Sequence, residues 1–173
     1  MNRIIIYESK TGFTEQYAKW IAEALKCKYK HIKDVSSNEL NTYDQIIFGG
    51  WVMANMIRGL DKLKKMSKSP TIIFAVGSTP PFDEVITQIK TQNKLDNIPF
   101  FYFQGGFHFE KLGFMKRVLL KTLKKSTNKK ENPTPQEEFM AQMLGTSFNN
   151  SSQEQISPLL EYINTNNKND KTE

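Results

Sequence analysis

Arg3-Ile4-Ile5-Ile6-Tyr7, with Glu8-Ser9-Lys10-Thr11-Gly12-Phe13-Thr14 directly after it, decides how this chain is read. The first five residues are a β-branched run of the kind buried on both faces of a sheet. From Thr14 the apolar positions Tyr17, Ala18, Ile21, Ala22 and Leu25 recur at helical spacing. The link between strand and helix, Ser9 to Thr14, holds three hydroxyls and a glycine. A helix N-terminus leaves its first N–H groups unpaired and carries partial positive charge. A phosphate placed there gains charge-assisted hydrogen bonds worth about 1.5–3 kcal/mol each, and Gly12 lets the backbone approach it. Thr14 alone would cap an ordinary helix, so the surplus of hydroxyls predicts a phosphate-binding loop.

Outward from this unit the alternation continues. Lys28–Ile32 reads as a weak strand, and Tyr43–Phe48 as a stronger one stopping at Gly49-Gly50. Thr71–Val76 ends at Gly77, and Phe100–Phe103 ends at Gln104-Gly105-Gly106. Helical patterns cover Ile57–Met66 and Phe82–Ile89. Five strands separated by helices give the α/β class, a doubly wound parallel sheet with helices on both faces. Ligands of such sheets bind outside the carboxyl ends of the strands, where strand order reverses. The loops after strands one, three and four are therefore the candidate site.

The rhythm changes after the fifth strand. Leu112–Leu123 forms a basic amphipathic pattern, Ser126–Pro135 a polar linker, and Gln136–Leu144 a helix opened by Pro135 with Glu137 and Glu138 in its first turn. Ser152 caps a last helix, Gln153–Ile163, whose Pro158 predicts either a start near Ser157 or a bend. The expected organisation is a single domain over 1–163, with a helical, basic insertion at 108–151. The polar tail, 164–173, is expected to fray.

The chain has 173 residues, 38% hydrophobic and 12% aromatic, which suits one globular domain and not a disordered one. Its longest apolar runs fall well short of the roughly 18 residues of a membrane span. The apolar stretch Ile4–Tyr7 is too short for a secretory signal. The single cysteine, Cys27, excludes an internal disulfide, a CxxC pair and a thiolate cage, and two histidines argue against a metal site. Cys27 itself reads as a small packing residue. The expected location is the cytoplasm, with peripheral contact at the inner face of the membrane left open. Of the net charge of +6, eight basic residues and no acidic one lie between Lys111 and Lys130. The basicity therefore belongs to one segment. Three readings of it stand: a solvated helix face, a docking site for an acidic protein, or a helix on anionic lipid. Nucleic acid is not expected, because the interleaved aromatics and glycines of a single-strand platform are absent.

The phosphate loop lacks the Gly-Lys-Ser/Thr ending of a nucleoside-triphosphate loop and the G-x-G-x-x-G of a dinucleotide site. The third strand ends Phe48-Gly49-Gly50, without the aspartate of a receiver domain. Ser9-Lys10-Thr11-Gly12-Phe13-Thr14 instead resembles the [ST]-x-T-G-x-T phosphate loop of flavodoxins. Gly49-Gly50-Trp51 and Ala75-Val76-Gly77-Ser78-Thr79-Pro80-Pro81 resemble their two flavin-flanking loops. Pro99–Phe107 and Ile156–Ile163 are similar to a bacterial flavodoxin-domain family that includes the menaquinone-dependent protoporphyrinogen oxidases. The resemblance spans Met1 to Ile163 and implies strand order 2-1-3-4-5, FMN as cofactor, and electron transfer through flavin N5.

On this reading Ser9, Lys10, Thr11, Gly12, Phe13 and Thr14 hold the phosphate. Trp51 offers a stacking face or, failing that, packs at the sheet edge. Gly49 and Gly50 present backbone groups near N5, where glycine tolerates a peptide rearrangement. Val52, Met53, Ala54 and Asn55 continue that loop, with Asn55 bonding the ring edge or simply turning the chain. Gly77, Ser78, Thr79 and Pro80 close the other side, while Phe82 is expected mainly in the core. No acidic residue precedes Asp83 in the third loop and Lys10 sits in the first, which predicts a less negative potential than that of acidic carriers. No catalytic acid–base pair is evident near the loops. The expected function is an electron carrier or partner-dependent oxidoreductase, with a redox protein or quinone as partner. The alternative is a quinone-linked flavoenzyme resembling protoporphyrinogen oxidase. A binding module that has lost FMN is disfavoured by the intact Ser9, Thr11, Gly12 and Thr14.

Overall fold

A computed structural model of the chain describes residues 1–67, 71–111, 132–143 and 145–169. The run Arg3–Glu8 forms β1, and Phe13–Leu25 forms α1. There follow β2 (Lys28–His31), α2 (Ser37–Leu40), β3 (Gln45–Met53), β4 (Met56–Ile57), α3 (Leu60–Met66), β5 (Thr71–Gly77), α4 (Asp83–Gln92) and β6 (Phe100–Gln104). Five of these strands lie in the order β2-β1-β3-β5-β6, every pair parallel. This is the expected doubly wound order, with β4 added antiparallel to the end of β3.

Side chains alternate between the two faces of a strand, and the two cores follow from that parity. Ile4, Ile6, Ile46, Phe48, Ile73 and Ala75 pack with Leu60 and Leu63 of α3 and Val85 and Ile89 of α4. Ile5, Tyr7, Ile47, Ile72, Phe74, Val76 and Phe103 pack with Tyr17, Ala18, Ile21 and Ala22 of α1. Each fully buried Ile or Phe contributes about 1.5–3 kcal/mol against leaving it in water. Cys27 borders the second core, where burial pushes its thiol above the ordinary range, with the positive charge of Arg3 opposing.

Two sequence expectations change, and a third is decided between its two alternatives, in favour of a helix start at Ser157. The third strand does not stop at Gly49-Gly50: β3 runs through both glycines to Met53, because neighbouring side chains fill the space their missing Cβ atoms leave. A Cβ on Gly49 would meet three ring carbons of Phe74, the farthest at 2.6 Å, and one on Gly50 would meet the Arg58 carbonyl at 2.5 Å. The helix expected from Ile57 begins instead at Leu60, after Gly59 at φ 86, and Ile57 belongs to β4. At the C-terminus, Gln153–Ile156 is a 3-10 turn capped by Ser152. The helix α6 (Ser157–Asn169, following α5 at Pro135–Met143) places Pro158 in its first turn, where a missing N–H costs nothing, and continues beyond Ile163.

Within the expected insertion, the described residues form a 3-10 turn at Phe109–Lys111, α5 and β8 (Phe148–Asn149). The strand β8 pairs antiparallel with β7 (Gly106–Phe107), a small sheet not foreseen from the sequence. Thr134 and Glu137 cap α5 reciprocally: the Thr134 N–H donates to the Glu137 carboxylate at 2.9 Å and the Glu137 N–H to the Thr134 hydroxyl at 3.3 Å. The Leu112–Leu123 helix, and the basic segment after Lys111, lie outside the described residues. Among the described residues no helix is long and apolar enough to cross a membrane, and no cluster of His, Cys, Asp and Glu is arranged to hold a metal.

Candidate functional site

The first loop turns from β1 into α1 over four residues. The Gly12 N–H donates to the Ser9 hydroxyl at 3.1 Å, and the Gly12 carbonyl accepts the first helical bond, from the Gln16 N–H, at 2.9 Å. Gly12, at φ 95 and ψ −18, is the N-cap of α1 and brings no side-chain cap. A Cβ there would meet nothing within 4 Å, so the dihedral demands glycine while the space in front of it stays open. Lys10, Thr11 and Gly12 are exposed, Ser9 and Phe13 half-buried. Thr14, the cap on the simplest sequence reading, is instead buried in the first helical turn.

The second segment is a hairpin. Trp51 and Val52 are half-buried, and Met53 is exposed. Val52 pairs with Ile57 and Met53 with Met56. The turn residues Ala54 and Asn55 both have positive φ, 49 and 60, the signature of a tight two-residue hairpin turn. Gly49 and Gly50, expected beside the flavin as a flexible loop, are buried ladder residues flanked on both sides by β1 and β5. Asn55 turns the chain, and its amide donates to Gln88 Oε1 at 2.9 Å. The Lys10 ammonium lies 5.2 Å from the centre of the Trp51 ring, so the first loop and the hairpin meet.

The third loop is held by β6. Consecutive carbonyls of Gly77, Ser78 and Thr79 accept from the Gly105 N–H at 2.8 Å, the Gln104 amide at 3.2 Å and the Tyr102 hydroxyl at 2.6 Å. Burial pushes the Tyr102 phenol above its ordinary range, which keeps it the protonated donor this loop needs. A Cβ on Gly77 would collide with the Tyr102 phenol. Pro80 accepts from the Phe82 N–H at 2.8 Å, and Phe82 packs against the first core as expected.

Other residues reach the site without a sequence signal that marks them. His108 stacks on Phe13 at 5.0 Å, beside the start of α1. Gly105 approaches Phe13, where a Cβ would stand 3.1 Å from the Phe13 Cβ. His31 Nε2 faces Glu8 at 3.7 Å, one residue before the first loop, while its Nδ1 accepts from the Lys33 N–H at 3.1 Å. Asn93, beyond the end of α4, bonds the hairpin turn. Gly105 lies in the Pro99–Phe107 stretch already noted, whereas His31, Asn93 and His108 belong to no motif, and Asn93 reaches the hairpin from the end of α4.

The family model of the flavodoxin domain matches residues 4–134. The chain belongs to the flavodoxin-domain family. Three solved structures resemble it at low identity. An archaeal flavodoxin is 18% identical over 61% of this chain and 85% of its own, with a TM-score of 0.40. Two-electron-reduced Megasphaera elsdenii flavodoxin is 18% identical over 58% and 82%, at 0.44. Oxidised flavodoxin 2 of Bacillus cereus is 19% identical over 60% and 84%, at 0.45. No curated protein matches the chain. The family match is to the flavodoxin domain at large, and nothing in the comparisons supports membership among the protoporphyrinogen oxidases. Flavodoxin domains bind flavin, generally FMN. The donor set here suits that group: hydroxyls and N–H groups around an open glycine at the start of a thirteen-residue helix, with an indole face and a cation alongside.

Proposed function

We propose that the protein binds FMN and passes electrons between a reductant and a redox protein or quinone. The observation that carries this reading is the meeting of the first loop with the hairpin, Lys10 over Trp51, at the open N-terminus of α1. Bound FMN would supply one- and two-electron chemistry at N5. The chain's own residues would do the rest. Ser9, Thr11, Thr14 and the N–H groups from Lys10 to Phe13 would hold the phosphate, aided by the helix dipole. Trp51 would flank the ring, and the Val52–Asn55 stretch would meet its polar edge. Gly77 to Pro80, stiffened by Tyr102 and Gln104, would close the second side. The Lys10 ammonium would lower the cost of negative charge on the reduced ring, raising its potential relative to carriers with acidic rims.

Absorbance of the purified chain before and after FMN addition, followed by anaerobic reduction, tests the reading. Near one FMN per chain is the expected result, and no binding with FMN in excess overturns it. Reduction in two one-electron stages marks a carrier, and a single two-electron step marks an oxidoreductase. The quinone-linked reading requires turnover with quinone and porphyrinogen above a no-protein control.

A further inference from the structure

The hairpin that would face the flavin ring is not held by its own sequence. Its turn, Ala54-Asn55, needs positive φ at both positions, where Asn-Gly is the favoured pair. Alanine in the left-handed region sets its Cβ against the following carbonyl oxygen. The returning strand β4 has only two residues. A conformation of this kind persists only where the surroundings over-determine it.

The surroundings here are Asn93, a buried polar side chain, 5% exposed, at the end of α4. Its Oδ1 accepts from the Ile57 N–H at 2.9 Å. Its Nδ2 donates to the Asn55 carbonyl at 2.8 Å and to the Ile89 carbonyl at 2.7 Å. Both amide hydrogens and the carbonyl oxygen are thus engaged. The Asn93 backbone carbonyl accepts from the Lys64 ammonium of α3 at 3.0 Å. A second tie runs parallel to the first: the Asn55 amide donates to Gln88, and the Gln88 amide donates to Glu84 at 3.1 Å, in the first turn of α4. That turn follows directly on the third loop.

We propose that Asn93 is a positioning residue for the flavin site: it clamps the Ala54-Asn55 turn to α4 and so fixes the backbone that the ring edge meets. This rests on the FMN reading above. The phosphate loop lies on β1 and α1 and makes no use of Asn93. Loss of the clamp therefore acts on the ring and not on the phosphate. The two oxidation states of the flavin differ at the ring, so their relative affinities respond.

Asn93→Ala leaves the Ile57 N–H and the Asn55 carbonyl without these partners. Amide hydrogen exchange on the FMN-free chain is expected to rise at least tenfold over residues 53–58 and to stay unchanged over Gly12–Gln16. In the FMN-loaded chain, the ratio of oxidised to two-electron-reduced FMN affinity is expected to change threefold or more, about 14 mV in potential by the two-electron relation. Gln88→Ala, on the helix surface, should act in the same direction more weakly, and it carries the test if Asn93→Ala does not fold. Exchange that rises uniformly along the chain, or not at all over 53–58, overturns the clamp. Local exchange with an unchanged affinity ratio overturns its role at the flavin. A wild-type chain that binds no FMN defeats the functional reading, while the exchange measurement still decides whether Asn93 fixes the turn.

Discussion

Replacing Gly49 by alanine separates two accounts of the same glycine. If Gly49 were a flexible loop residue, a methyl group there would be tolerated and the change would be felt only by a bound flavin. In the structure Gly49 lies inside β3 under the ring of Phe74, and the farthest of three ring carbons stands 2.6 Å from where the methyl would sit. Carbon atoms settle at about 3.5–4.0 Å, so the ring must retreat by roughly 1 Å or more. Phe74 is fully buried and tilted against Phe103 at 5.5 Å, so its retreat presses on packed neighbours. Overpacking of this kind costs about 1–3 kcal/mol. The reduced freedom of the unfolded chain returns about 0.4–1 kcal/mol, leaving a net loss of about 1.3 kcal/mol at the middle of both ranges. With a urea slope of about 2 kcal/mol per molar, the middle of its usual range, the unfolding midpoint should fall by roughly 0.7 M. Phe74→Leu removes the ring edge, so the double variant should lose less than the sum of the singles, with a coupling of about 0.5–3 kcal/mol. An unchanged midpoint for Gly49→Ala, or strict additivity with Phe74→Leu, refutes the packing argument.

The other expectations concern different links of the chain from sequence to function. Gly12→Ala meets no atom, yet its φ of 95 should cost about 1–2 kcal/mol and weaken FMN. Gly59→Ala adds to a similar dihedral cost a Cβ 2.8 Å from that of Glu8, and so should destabilise more in the same urea titration. Burial raises the phenols of Tyr7 and Tyr102, the first aided by its hydrogen bond to Glu15. The unfolded chain therefore loses these protons first. The stability they contribute is complete below a pH of about 10 and lost as the pH rises further, with the phenolate absorbance of Tyr7 and Tyr102 appearing together with unfolding. A midpoint flat well above that pH contradicts this. Burial also raises the Cys27 thiol. Alkylation at a pH of about 8 should be much slower in the folded chain than in urea, and equal rates would show that the thiol is not held as described.

Much of the fold was legible because it rests on local signals. The β-branched runs Ile4–Ile6 and Ile72–Ile73 announce strands buried on both faces, and the spacing of Tyr17, Ala18, Ile21 and Ala22 announces the helix that covers them. Ser9-Lys10-Thr11-Gly12 announced a turn into a helix, and the structure places Gly12 at the N-cap of α1 with open space before it. Gly49-Gly50 misled because glycine is punctuation in a sequence, whereas here it is a gap filled by the Phe74 ring, the Ile57 side chain and the Arg58 carbonyl. The Ala54-Asn55 turn was hidden for the complementary reason: it lacks the glycine that marks such turns, and its conformation is imposed by Asn93.

Local sequence signals thus set the class of fold and the succession of strands and helices, and they singled out Ser9 to Thr14 as the loop expected to bind an anion. These depend on periodicity and on residue types within a few positions of one another. Tertiary packing set the surroundings of the three loops: Lys10 against Trp51 and His108 on Phe13 at the first, Tyr102 bonded to Thr79 at the third, and Asn93 bonded to the hairpin. Each of these joins residues tens of positions apart. A hydrogen bond or ring contact between them exists because the parallel sheet carries the ends of its strands to one edge, and no pattern of neighbours in the chain encodes it.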